Sequence, residues 1–104
     1  MLKIQELAVE MIRGLRGPIG EIEKADRDLG RQLRRAAASV VLNMGEGSGS
    51  VGGIRRERYR SALGSLREVE ACLAVAGAFG YVTAVPADVV SCARRVGAGL
   101  RKLT

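Results

Sequence analysis

Apolar residues recur every three or four positions through four stretches of this chain, the spacing that lays one stripe along a helix. In the first stretch the stripe is Ile4, Leu7, Ala8, Met11, Ile12, Leu15, Ile19 and Ile22. Gly17-Pro18 interrupts it, yet it resumes in phase at Ile19. That predicts one helix over about 2–24, kinked near 17–18, rather than two. Asp26 or Asp28, short carboxylates able to accept free first-turn amides, opens a second helix over about 27–46. Its stripe of Leu29, Leu33, Ala36, Ala37, Val40, Val41 and Met44 is widened by Ala38 and Leu42, the pattern of a central helix with more than one neighbour. A third helix over about 54–78 repeats Tyr59, Leu63, Leu66, Val69, Leu73 and Ala76, with Gly80 available as its C-terminal cap. Pro86 suits the first turn of a fourth, over about 85–103, in which Val85, Val89, Cys92, Val96, Leu100 and Leu103 follow a near-heptad.

With no strand pattern, the chain reads as one all-α domain over 1–104, an antiparallel up-down four-helix bundle. Tyr59, Phe79 and Tyr81 are its only aromatics, so the core must be filled by aliphatic side chains, which suits close helix packing. The run GEGSGSVGG at 45–53 favours no regular structure and is expected to be a flexible loop between the second and third helices. Small residues crowd the last two helices: Ala62, Gly64, Ser65, Ala71, Ala74, Ala93, Gly97 and Gly99. A glycine inside a helix costs about 1 kcal/mol relative to alanine, so this density suggests a second backbone close by, within the subunit or between subunits.

Residue types argue against catalysis. The chain has no histidine, which removes the commonest general base and metal ligand. Cys72 and Cys92 lie among apolar residues without a CxxC spacing; they read as buried small hydrophobes and cannot form a structural zinc site by themselves. Gly47, Gly49 and Gly52 match GxGxxG, but a helix precedes them where a dinucleotide fold needs a strand, and no cofactor is expected. Glu68 and Glu70 point to different faces of one helix. Asn43 and Glu46, three apart, share a face and are expected to cap neighbouring helix ends or satisfy buried amides. No apolar run approaches the ~20 residues of a membrane span and no secretory pattern opens the chain, so a soluble, cytoplasmic protein without a membrane partner is expected.

The charge is informative. The net +6 is concentrated, with 8 basic and 3 acidic residues across 27–60 and 4 basic and 1 acidic across 86–104. Arg27, Arg31, Arg34 and Arg35 recur at helical spacing, Arg55, Arg56, Arg58 and Arg60 cluster after the glycine run, and Arg94, Arg95, Arg101 and Lys102 form a third group. Any one group can be a solvated face; three in so small a basic domain point to phosphate-driven, salt-sensitive nucleic-acid binding. Base stacking is disfavoured by the lack of aromatics.

Two motifs carry a resemblance. Gln32 through Val40, read as QLRRAAASV and closing on Asn43-Met44-Gly45-Glu46-Gly47, is similar to the signature of a bacterial four-helix-bundle family. The pattern continues in Tyr59-Arg60, in Ala62 through Glu70 (ALGSLREVE) and in Gly80-Tyr81. That family includes proteins encoded in intervening sequences of large-subunit ribosomal RNA genes and the accessory variability determinant of diversity-generating retroelements. The resemblance spans about residues 4–103. It implies an up-down bundle that assembles into a homopentameric ring and, for the retroelement members, binding of nucleic acid and of a reverse transcriptase through a basic surface. It also implies that Asn43, Glu46, Gly47, Gly64 and Ser65 are architectural. Two departures stand out: a longer first helix containing Gly17-Pro18, and Gly45 where alanine is usual.

The resulting expectation is a non-enzymatic homo-oligomer whose Arg34, Arg35, Arg55, Arg56, Arg58 and Arg60 contact RNA or DNA phosphates, with a reverse transcriptase as a partner of the retroelement type. The alternative is a structural or adaptor bundle that recruits a protein and has no nucleic-acid role.

Overall fold

The computed structural model describes residues 2–104, and these form four helices: α1 (Lys3–Ala25), α2 (Arg27–Ser48), α3 (Gly52–Phe79) and α4 (Ala87–Leu103). Among the described residues there is no strand. Each helix packs on two others, α1 on α2 and α4, and α3 on α2 and α4, which closes a four-membered ring of helices. Close approaches fix the directions. Gln5 meets Gly45 while Glu23 meets Gly30; Gly47 meets Tyr59 while Ser39 meets Ser65; Ile4 meets Gly99 while Val89 meets Gly14. In each pair of helices the residue numbers run in opposite senses, so neighbours are antiparallel.

The stripes read from sequence are the core. Met11, Leu15, Ile22, Leu33, Val40, Met44, Leu66, Val69, Val96 and Leu100 are fully buried. Burial of such side chains stabilises by about 1.5–3 kcal/mol each. Leu103, at the end of the α4 stripe, is exposed, and Leu42 departs furthest from expectation. It is 65% exposed, because α1 and α3 cover adjacent flanks of α2 and neither reaches the flank that carries Leu42.

α1 runs through Pro18 as a single helix, with Pro18 buried. Asp26 alone separates α1 from α2 and serves both. Its extended backbone donates to the Ile22 carbonyl at 2.8 Å, and its Oδ1 accepts from the Leu29 amide at 3.0 Å. Gly30 makes so abrupt a turn possible, since a Cβ there would collide with Glu23, backbone included.

The glycine-rich run is mostly not a loop. α2 continues to Ser48, α3 begins at Gly52, and only Gly49–Val51 connect them, against the expected 45–53. Two sets of contacts hold the segment, one from α3 and one largely local. Gly47 is buried against the Tyr59 ring, where a Cβ would stand 2.7 Å from Cε1, so only glycine fits without displacing the ring. The last α2 carbonyls also find side-chain donors: Ser48 Oγ donates to Gly45, Ser50 Oγ to Glu46 and Arg55 Nε to Gly47, and Arg55 Nε donates as well to Ser50 in the connection. A helix end supplied with such partners has no reason to fray.

α3 ends on Gly80, whose φ of +78° is the left-handed conformation that glycine adopts without penalty. The Tyr81 amide donates to the Ala76 carbonyl and the Gly80 amide to Gly77, and the Phe79 and Tyr81 rings stack at 5.2 Å. Pro86 sits at the N-cap of α4, one residue outside its first turn.

Glycine also decides where α4 lies. Gly14 receives Val89 and Gly99 receives Ile4, each too closely for a Cβ to stand between them. α4 is therefore drawn onto α1 and rests only lightly on α3. Of the small residues expected to admit a neighbouring backbone, Gly97 and Gly99 instead admit the side chains of Leu66 and Ile4 within the protomer, and Gly64 is exposed with nothing within 4 Å of where its Cβ would be.

Candidate nucleic-acid interface

The six arginines nominated from sequence lie on the α2–α3 hairpin, in different states. Arg34 reaches across to Glu23 of α1 at 2.7 Å. Arg58 pairs with Glu46 at 3.1 Å, tying α3 to the end of α2, and Arg60 pairs with Glu57 within its own helix at 3.8 Å. Arg55 commits its Nε to the carbonyls of Gly47 and Ser50, at 3.3 and 2.8 Å. Arg35 and Arg56 are exposed and, among the described residues, have no ion-pair partner.

Neither are the six one cluster. From Arg35 to Gly47, which faces Tyr59, α2 advances about 18 Å at its rise of 1.5 Å per residue. Arg34 and Arg35 therefore lie toward one end of the hairpin and Arg55 to Arg60 at the other. Arg67, two residues beyond the Ser65 that meets Ser39, lies nearer the level of Arg35 than that of Arg60. It is exposed and unpaired, and the spacing of Arg56, Arg60 and Arg67 (i, i+4, i+11) puts all three on one face of α3. That spacing is legible in the sequence, but Arg67 stands apart from the three dense runs.

The remaining cations are also largely free. Only Arg13, Arg34, Arg58 and Arg60 of the seventeen lysines and arginines are ion-paired among the described residues. The existing pairs are half-exposed or more on the arginine side, and exposed pairs hold by less than about 1 kcal/mol, so a phosphate can displace the carboxylate.

Asn43 and Glu46 take separate partners rather than capping helix ends together. The Asn43 amide nitrogen donates to the Ser39 carbonyl and hydroxyl, both at 3.0 Å, and the Ser39 and Ser65 hydroxyls lie 2.8 Å apart. Asn43, Ser39 and Ser65 thus make a half-buried polar bridge between α2 and α3, while Glu46 faces solvent and Arg58. Gly47 forms the Tyr59 seat described above.

The architectural motifs therefore converge on the α2–α3 hairpin, while the match to known proteins extends over all four helices. Residues 3–96 match the model of the 23S rRNA-intervening sequence protein family. The chain belongs to that family. No curated protein and no solved structure matches it. Among this family member's described residues, no three His, Cys, Asp or Glu side chains come together as a metal site, and no helix is long and apolar enough to cross a membrane. Cys72 and Cys92 are free thiols, the first buried and the second half-buried. Burial pushes the Cys72 thiol above its ordinary range, and the neighbouring Glu68 carboxylate adds to the effect.

Proposed function

We propose that this protein is a non-enzymatic, homo-oligomeric binding protein whose arginine surface contacts nucleic-acid phosphates. The observation that carries the reading is the Arg56, Arg60 and Arg67 face of α3, exposed and, at Arg56 and Arg67, uncompensated. Arg35 on α2 and the weakly held Arg34 add further cations to the hairpin, whereas Arg58, two residues from Arg56, turns to Glu46 on another side of α3. Arg55 contributes less, because it is occupied at the end of α2.

Self-association uses the outer face of the same hairpin. Val75 and Phe79 are exposed on α3, at 42% and 67%, Leu42 is exposed farther along on α2, at 65%, and Gly64 and Ala71 of α3 leave room for a second backbone. A homopentameric ring repeats each arginine face around its axis, which multiplies weak phosphate contacts. A reverse transcriptase is the protein partner in this reading if the chain serves a retroelement.

Fluorescence anisotropy with labelled single-stranded RNA and duplex DNA over a salt series tests the reading. Each phosphate contact adds about 0.7 to 0.9 to the slope of log affinity against log salt. Arg56→Gln/Arg67→Gln lowers that slope by roughly 1.4–1.8 per engaged protomer. No binding at low salt, or binding indifferent to salt, overturns it. Light scattering tests the assembly separately: a mass of one 11.0 kDa protomer contradicts the ring.

A further inference from the structure

Because Gly14 and Gly99 seat α4 on α1, the α3–α4 seam is left open. The groove there measures about 410 Å³. Its floor is Met11, Val69, Leu73 and Val89, and its walls carry Val90, Ala93 and Gly97 of α4 and Ala74 of α3. Small side chains at Ala74, Ala93 and Gly97 leave the space above Leu73 and Val89 unfilled, and Val90 remains 44% exposed. Arg94 and Arg101 flank the opening on the α4 side and Glu70 on the α3 side. None of the three has an ion-pair partner among the described residues.

We infer that this groove is the docking site for an amphipathic helix of a partner protein, one that carries aliphatic residues on one face and acidic residues beside them. Val90, Arg94, Gly97 and Arg101 follow one another at i, i+4, i+7 and i+11, so one edge of the groove runs along α4. From Val90 to Arg101 that edge is about 16.5 Å long, about three turns of a docked helix at 5.4 Å per turn. An apolar trough of this length that stays open to solvent suits a helix laid in a groove, anchored at i, i+3 or i+4, and i+7. A small ligand, by contrast, is normally enclosed by its pocket. The two arginines against one glutamate set the sign of the partner's flanking charges. A second copy of this chain is a poorer donor, because the apolar stripes of α1, α2, α3 and α4 are already buried in the protomer's own core.

The inference is independent of the nucleic-acid reading, which rests on Arg35, Arg56 and Arg67. A fluorescein-labelled synthetic peptide of about 15 residues, long enough to fill the groove, serves as the probe. It has leucines at i, i+3, i+4 and i+7 and flanking glutamates; one control replaces glutamate with lysine and another is scrambled. Anisotropy with the full-length protein should show the acidic peptide binding about tenfold or more tighter than the lysine peptide. Arg94→Glu/Arg101→Glu should invert that preference, and Ala74→Trp should weaken both peptides by occupying the trough. Circular dichroism on each variant confirms the fold, and Arg56→Gln/Arg67→Gln should bind the peptide normally even where its RNA affinity falls. Three results overturn the inference. They are equal binding of acidic, basic and scrambled peptides, no inversion by the charge-reversed variant, or loss of assembled mass in Ala74→Trp, which would make the groove a contact between copies.

Discussion

Replacing Gly47 by alanine should destabilise the protein, although the same change in most helices stabilises it. Glycine in a helix interior costs about 0.5–1 kcal/mol relative to alanine, and Gly47 lies in the last turn of α2, where the gain from replacing it is at the low end. Against that gain stands the Tyr59 ring, with Cε1, Cδ1 and Cζ at 2.7, 2.9 and 3.2 Å from the new methyl. Tyr59 is 3% exposed and its ring is rigid, so relief requires moving packed atoms. Overpacking of this kind costs about 1–3 kcal/mol. The net loss is about 1–2 kcal/mol, which for a domain of this size lowers the melting temperature by roughly 5–15 °C. Gly20→Ala is the internal control. It lies within α1 with nothing within 4 Å of the added carbon, so it should raise the melting temperature by roughly 3–6 °C. Melts followed by circular dichroism at one fixed protein concentration compare them, since assembly makes melting concentration-dependent. A cycle with Tyr59→Leu isolates the clash, and the pair should couple by about 1 kcal/mol or more. If Gly47→Ala melts as high as Gly20→Ala, or the cycle is additive, the Tyr59 seat is not what requires glycine.

Four further outcomes follow from local geometry. Asp26→Ala removes the acceptor for the Leu29 amide and should cost about 1 kcal/mol in urea titration, whereas Asp26→Asn should cost little. Gly80→Ala forces a methyl into left-handed backbone and should cost about 1–2 kcal/mol in the same titration, without changing helix content in the native state. Of the two thiols, Cys92 should react with a disulfide reagent in a fast phase and Cys72 in a slow one that denaturant abolishes, because the thiolate is the nucleophile and burial disfavours it. The same upward shift means that the unfolded chain ionises Cys72 first as the pH rises. Its contribution to stability is constant at neutral pH and declines above the ordinary thiol range; Cys72→Ala should flatten that alkaline loss.

The helices and their buried faces were legible in the sequence. Met11, Leu15, Ile22, Leu33, Val40, Leu66, Val96 and Leu100 all fall on stripes read from spacing alone and are all fully buried. The start of α2 was legible as far as Asp26 or Asp28, and the structure gives the cap to Asp26. Legibility ends where a residue's role depends on something distant in sequence. GEGSGSVGG reads as a loop from composition, yet most of it is helix, because Tyr59 and Arg55 reach back to it from α3. Arg34 reads as a free cation until α1 brings Glu23 to it, and Asn43 and Glu46 read as a pair until Ser39 and Arg58 separate them.

Local sequence thus determined that this chain is four helices and which side of each meets the core, because burial leaves a period that every turn repeats. The tertiary structure decided which arginines remain free, where α2 stops, and that α4 leans on α1 and leaves its seam with α3 open. Those outcomes depend on contacts between residues far apart in the chain, at Gly47 and Tyr59, Gly14 and Val89, and Ile4 and Gly99, for which no periodicity exists to be read.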